Sequence, residues 1–514
     1  MSRIPKMLGR RRKVLSGIGA ILSASLFLFS SQTTYAQVSQ PNPPVDLLMQ
    51  QMTPEEKVGQ LFLVTYYGRD IGEDSDIAAL IRQYHVGGVI LSSENDNFDD
   101  SSLLALQIYD TAADLQLLNA NSDSAPTTRE PPQFAGTTRY VPLFIGIESN
   151  SGTPGYSSIL SEMSYSPSAM ALGATWKPEL AQQVGHETGE DLSGLGINLL
   201  LGPSADVVEV PQPYTSGDLG TSVFGGEPYW VSKMVGAYIS GVHEGSAGRI
   251  AVAPRHFPGH GAADRVARVE VPTIRRSLEQ LSQFDLVPFF AVTGDAQNSQ
   301  AVADGLLTGH ISYRGFQGDN PRIQTRPISF DQQALQSLLR LDALSKWRAN
   351  GGLLITEALG QQGVRRLYGA SGPSFPGRRI AQDALLAGND ILYVAEFGSS
   401  PRENQTEQVE DTISYFAQMY QSDLAFQARV DDALRRILQR KLAIYQRFSL
   451  EGTVLPPRSS SSRSATECAR IGDIGAERLA APCRLLARIC RPRYPDAQRL
   501  SAAHCSRRLQ HTLA

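Results

Sequence analysis

Residues 249–272 read RIAVAPRHFPGHGAADRVARVEVP. The stretch opens on a short apolar run, Ile250 to Ala253, and breaks at once into Arg255, two histidines, two glycines and a proline. An apolar run too short for a helix that ends in such punctuation reads as a buried strand feeding a loop. Polar side chains at the carboxyl end of a buried strand are also where α/β proteins place their chemistry.

The same grammar recurs along the chain. Seven further runs match it: LFLV from Leu61, VGGVIL from Val86, PLFIGI from Pro142, INLLLGP from Ile197, GLLTGHI from Gly305, GLLITEA from Gly352 and DILYV from Asp390. Longer amphipathic stretches separate them, so the pattern is of βα units around a parallel sheet. Eight such units predict an α/β protein built as a (β/α)8 TIM-type barrel, with a doubly wound open sheet as the alternative. Polar residues stand where the runs end: Glu148, Asp206, Arg255 with His256, His310 and Glu357. The stretch from Asn119 to Tyr140 reads as a long surface loop.

Bulk composition narrows the function. With 514 residues, 41% hydrophobic and 19% charged, the chain can bury a large core, and a formal net charge of −4 argues against a nucleic-acid surface. Residues 1–36 stand apart. Arg10 to Lys13 precede the apolar run VLSGIGAILSASLFLF, and TYA ending at Ala36 supplies small residues for cleavage. This reads as a signal peptide, and RRKVL also fits a twin-arginine signal. The apolar run falls short of the ~20 residues of a spanning helix, so the mature form is expected to be secreted or extracytoplasmic, off the membrane. Residues 37–50 read as a linker and 51–450 as the barrel. From 451 to 514 the chain reads as an Arg/Ser-rich, disordered tail or a coding artefact; from Leu455 on it carries eleven arginines against four acidic residues. All four cysteines, Cys468, Cys483, Cys490 and Cys505, lie there, in spacing too irregular for a zinc site.

The body resembles the N-terminal barrel of family 3 glycoside hydrolases, in particular the bacterial β-N-acetylhexosaminidase branch. The resemblance runs from about Met52 to Tyr445. It is carried in order by MTPEEKVGQLFLV, HVGGVILSSEN, SPSAMALGATW, GLGINLLLGPSADV, FGGEP, RHFPGHG, TGHISY, ALLAGNDILYV and RRILQRKLAIY. It implies retaining hydrolysis of β-linked amino sugars, in which a carboxylate attacks the anomeric carbon and an acid/base group protonates the departing oxygen. In that branch the nucleophile is the Asp of a T-D-D/A-L segment, and the acid/base is the His of a D-S/T-H triplet on the K-H-F-P-G-H-G loop. The resemblance implies a carbohydrate partner and no metal or cofactor.

Carried over residue by residue, the chemistry changes. Val266, Ala267 and Arg268 stand where the Asp-Ser/Thr-His triplet belongs. Arginine, with its pKa above 12, cannot serve as a general acid. Asp264 is the nearest carboxyl, two places out of register. The nucleophile position in LLITEALG holds Glu357, the sugar-binding Asp becomes Glu148, a sugar-binding Arg becomes Ser222, and the Lys before the loop histidine becomes Arg255. Glu357 and Asp264 are therefore the catalytic candidates. Glu148, Arg255, His256, His260, Asp206 and His310 are the candidate substrate contacts. Each has a plainer reading. His256 and His260 can fix a tight loop, His310 can be a satisfied core histidine, Asp206 can tie loops together, and Glu357 can pair with Arg255 or Arg268. Two functions follow: a hexosaminidase-like hydrolase, or a silent barrel that binds a glycan or a protein partner.

Overall fold

The computed structural model describes residues 43–99, 104–121, 140–149, 167–213, 215–266, 268–318, 325–369, 375–400, 402–446 and 448. The signal segment, most of the 119–140 loop, the cysteines and the tail lie outside the described residues.

Among the described residues there are ten strands: β1 Phe62–Val64, β2 Gly88–Ile90, β3 Phe144–Glu148, β4 Leu199–Ser204, β5 Ala251–Arg255, β6 Thr273–Ile274, β7 Gly305–Thr308, β8 Ser312–Tyr313, β9 Leu353–Thr356 and β10 Leu392–Val394. Six pair in parallel in the order β10-β1-β2-β3-β4-β5. β7 pairs with β9 in parallel. Single bridges then join Phe257 after β5 to Thr308 of β7, and Ile355 of β9 to Ile391 before β10. Each of the eight apolar runs picked out in the sequence supplies one of these strands. The curled parallel sheet and α/β class agree with the sequence. The two-residue strands β6 and β8, which pair with each other beside the sheet, were not anticipated. They lack the length that makes an apolar run visible.

The strands are buried throughout β4 and β5, as expected where helices cover one face and side chains fill the other. The helices begin where local chemistry favours it. Thr53 and Glu56 form a capping box: the Glu56 amide donates to Thr53 Oγ1 (3.2 Å) and the Thr53 amide to Glu56 Oε2 (2.7 Å). The stretch read as a linker differs from expectation, because Pro43–Gln51 is a helix. Val45 and Met49, one turn apart, bury against the core, which gives that segment a reason to be ordered.

Charged side chains tie the amino-terminal side of the sheet together. Asp304, just before β7, accepts from His243 Nε2 (2.8 Å) and the Val252 amide (2.8 Å) and pairs with Arg440. Asp390, before β10, pairs with Arg348, Arg429 and Arg436 and accepts from the Leu354 amide at 2.9 Å. Arg429, Arg436 and Arg440 belong to the last helix, Leu424–Tyr445, and two further residues of it reach the same side. Lys441 Nζ donates to Gln60 Oε1 (2.7 Å) and the Gly87 carbonyl (2.8 Å). Tyr445 Oη donates to the Leu143 carbonyl (2.7 Å) and accepts from Asn198. Breaking a buried pair of this kind costs about 3–5 kcal/mol, because the remaining charge is stranded. Among the described residues no helix is long and apolar enough to cross a membrane.

Candidate active site

At the opposite, carboxyl side of the strands, β4 delivers Asp206 into a fully buried position. Its carboxylate gathers the loop after β5. Oδ1 accepts the amides of His260 (2.6 Å) and His256 (3.3 Å), and Oδ2 accepts His256 Nδ1–H (2.7 Å) and the Ser204 hydroxyl (2.7 Å). Burial pushes the Asp206 carboxyl up, but His256 and His260 outweigh it and hold the group well below the usual carboxylate range. Two glycines make the wrap feasible. Gly259 sits at φ +135°, and a Cβ on Gly261 would lie 1.9 Å from the Val207 carbonyl oxygen.

The Asp206 bond fixes the His256 ring so that Nε2 lies 3.5 Å from Glu357 Oε1, at the end of β9. Glu357 Oε2 accepts the His310 amide at 3.0 Å, and the side chain is 12% exposed. Burial alone would raise this carboxyl. His256, His310 and His260 reverse that and hold it below the ordinary range, so it stands ionised. The result is a line of three groups, Asp206, His256 and Glu357, with the last at the end of β9.

The other predicted residues fall into place around that line. His310 serves Glu357 through its backbone, while its ring is buried and turned away. Nε2–H donates to the Ala358 carbonyl (3.2 Å), Nδ1 meets Ser329 Oγ (2.7 Å), and the ring stacks on Phe330. Burial lowers its basicity. His260 lies under His256 with ring centroids 5.4 Å apart. Neither of its ring nitrogens has a hydrogen-bond partner of good geometry among the described residues, though the Arg265 backbone approaches the ring. Burial and then the neighbouring His256 bring its pKa down to about 4. Arg255 reaches the Ser149 carbonyl (2.7 Å) and Glu148 Oε2 (3.4 Å), while Glu148 Oε1 accepts Tyr393 Oη–H at 2.9 Å. Glu357 pairs with His256, and no ion pair found among the described residues joins it to Arg255 or Arg268.

Asp264 does not join the cluster. Its side chain is 55% exposed and takes two 3.0 Å hydrogen bonds from the Arg265 guanidinium. No hydrogen bond or ion pair among the described residues links it to Glu357 or His256. Arg268 instead crosses the mouth, with Nη2 3.7 Å from Glu94 Oε2 and 3.6 Å from Glu396 Oε1. These three, with Tyr67, Glu148 and Tyr393, line a cavity of about 90 Å³. Glu94, Tyr393 and Glu396 escaped the sequence reading. Glu396 and Tyr393 do sit at the end of the DILYV run, and that position was the available signal.

Sequence comparison decides the family. The glycosyl hydrolase family 3 N terminal domain matches residues 53–440. This chain belongs to glycoside hydrolase family 3. Among family relatives it is 27% identical over 273 residues to beta-hexosaminidase LpqI of Mycobacterium tuberculosis, covering 52% of this chain and 58% of that one. It is 26% identical over 304 residues to beta-hexosaminidase A of Pseudoalteromonas piscicida, covering 57% and 44%. The chain thus spans about half the length of the curated relatives it matches. In three dimensions it is similar to a family 3 beta-N-acetylglucosaminidase from Paenibacillus, with TM-score 0.61, 23% identity, and 85% and 68% of the two chains covered. The solved LpqI structure gives TM-score 0.57 at 22% identity, over 79% of this chain and 98% of that one.

Proposed function

We propose that this family 3 chain hydrolyses β-linked amino-sugar glycosides of the β-N-acetylhexosaminidase type, with retention of configuration. In this reading the eight parallel strands close as a (β/α)8 barrel through the Phe257–Thr308 and Ile355–Ile391 bridges. The signal at residues 1–36 exports the protein, residues 51–450 form the catalytic domain, and 451–514 are an appended tail. One observation carries the reading: the buried Glu357 carboxylate at the end of β9, fixed by the His310 amide and by the Asp206-steadied His256. A buried carboxylate held in its charged form at a strand end is a competent nucleophile toward an anomeric carbon. Glu148 and Arg255 supply the polar contacts that orient the sugar. His256 and Asp206 position Glu357, and His260 and His310 support the same wall.

The second reading, a silent glycan-binding barrel, is favoured by the mouth itself. Its cavity of about 90 Å³ is far below the roughly 300–1,000 Å³ of small-molecule sites. Arg268 lies across it, and the D-S/T-H triplet of the resemblance is missing. Release of phenol from 2,4-dinitrophenyl and 4-nitrophenyl N-acetyl-β-glucosaminides by the full chain separates the two readings, because good leaving groups need little protonation. Turnover is expected, with Glu357→Gln lowering kcat by ~10³-fold or more. A glycan that binds without any release from either glycoside would establish the silent reading.

A further inference from the structure

We propose that the helical layer carries a second saccharide site, a groove between the helices Pro178–Gly194 and Pro228–Ser246 that holds a β-linked amino-sugar oligosaccharide. The choice of an amino sugar rests on the hydrolase reading above; the groove is built from other residues. Its volume is about 470 Å³, inside the roughly 300–1,000 Å³ of small-molecule sites. Tyr229, Gly236 and Ser240 line it from the helix Pro228–Ser246, Gln182 from the helix Pro178–Gly194, and Phe290 and Asn298 from the segment that follows Val287. Gly236 keeps the floor open. Among the described residues, a Cβ there would meet no heavy atom of another element closer than Val292 Cγ1, at 4.0 Å.

The rim is aromatic and wet. Trp176 and Trp230 meet edge to face at 5.2 Å between centroids, and Trp230 meets Tyr229 in the same way at 5.4 Å. Trp176 is 56% exposed and Tyr229 55%. Isolated exposed apolar side chains are ordinary, but three adjoining aromatic rings beside an open groove mark a binding surface. Trp176 also holds φ +55°, a backbone region uncommon for a bulky residue. Each of the two helices ends a few residues before the next strand, β4 or β5, so each begins at the opposite, carboxyl pole. The aromatic rim therefore stands on the side where the strands present Glu148 and Asp206, and a polymer held there stays at the working pole.

The lining matches the two surfaces of a pyranose. Its axial C–H face packs on aromatic rings, here Tyr229 and Phe290, and its hydroxyl edge needs neutral hydrogen-bonding groups, here Gln182, Ser240 and Asn298. An acetamido group adds a methyl and an amide, the complements of Phe290 and of the two side-chain amides. Charge points the same way. Lys233, 5.3 Å from the Tyr229 centroid, faces two carboxylates, Glu244 and Asp295, so the groove has no cationic surplus for a phosphate chain. Glu244 is already held by neutral donors, Gln182 Nε2 at 2.9 Å and Ser240 Oγ at 3.1 Å.

The chain has three tryptophans, Trp176, Trp230 and Trp347. Trp347 is buried, with its indole N–H donating to the Ala303 carbonyl at 2.7 Å, so a ligand-induced change in tryptophan emission reports on this surface. The experiment titrates the full-length protein with a chitin-derived tetrasaccharide and reads tryptophan emission and its quenching by acrylamide. Wild type should show a saturable change and protection from the quencher. Gly236→Leu, which fills the groove with a better helix former, and Tyr229→Ala, which removes the rim, should each raise the half-saturation concentration about tenfold or more, with hydrolysis of 4-nitrophenyl N-acetyl-β-glucosaminide changed less than about twofold. Glu357→Gln should titrate as wild type, and loss of the signal there would overturn the proposal. No saturable change in wild type, or the same half-saturation in both groove variants, would overturn it while leaving the hydrolase reading intact. A wild-type dimer in sedimentation that Gly236→Leu dissolves would overturn it in favour of a second copy of the chain as the occupant. If wild type releases no phenol while the tetrasaccharide saturates the signal, the hydrolase reading falls and the groove stands.

Discussion

The loop after β5 is two loops in physical terms. Its first half, residues 255–261, is buried almost throughout and organised by one carboxylate, Asp206, with two glycines allowing the backbone to close around it. Its second half, from Asp264 to Glu270, lies mostly at the surface, where Arg265 pairs with Asp264 and Glu270 and Arg268 pairs with Glu94 and Glu396. The first half is over-determined by packing and backbone bonds. The second is held by exposed ion pairs, which are individually worth only about 0–1 kcal/mol. A catalytic donor carried on the weaker half can be exchanged without disturbing the wall that aims Glu357.

The contrast yields graded consequences. Asp206→Asn should be the most damaging, costing about 3–5 kcal/mol in urea unfolding, because it removes the charge that several buried donors face. It should also cut kcat on any substrate that is turned over by ~10²-fold or more, since His256 would lose its fixed orientation. Linkage adds a sign: the folded-state pKa of Asp206 is depressed, so its stabilisation is present above the unfolded value of about 3.9 and is lost as pH falls toward the lower folded value. Wild type should therefore lose stability progressively below about pH 4 in a way that the variant does not share. An unchanged acid profile would break the comparison. Gly261→Ala comes next, at about 2–4 kcal/mol, because its methyl would collide with the Val207 carbonyl rather than with a flexible side-chain tip. Asp264→Ala should be the mildest, within about 1 kcal/mol by thermal unfolding and within about twofold in kcat. A large activity loss there, with the fold intact, would return Asp264 to the catalytic role that its sequence position first indicated.

The fold was readable because each major strand is a compact apolar run ended by polar residues, a pattern produced by burial on both faces. Asp206, His256 and Glu357 were readable for the same reason, as polar residues at strand ends. Their alignment in one line was not. It depends on a backbone reversal at Gly259 and on which imidazole nitrogen meets which carboxylate, neither of which leaves a trace in residue spacing. Glu396 was hidden because its place at the cavity is marked by Arg268, a residue 128 positions away in the chain. The ionic ties at Asp304 and Asp390 were equally silent, since a lone Asp before an apolar run looks like ordinary loop chemistry.

The anchoring of Tyr445 beside Leu143 and Asn198 has a practical corollary. Those residues precede β3 and β4, so the chain leaves its last helix at the pole farthest from Glu357. Cargo attached beyond Gln446, whether a reporter, a bead or a wall-binding module, would hold the molecule by its back and leave the mouth turned toward the medium.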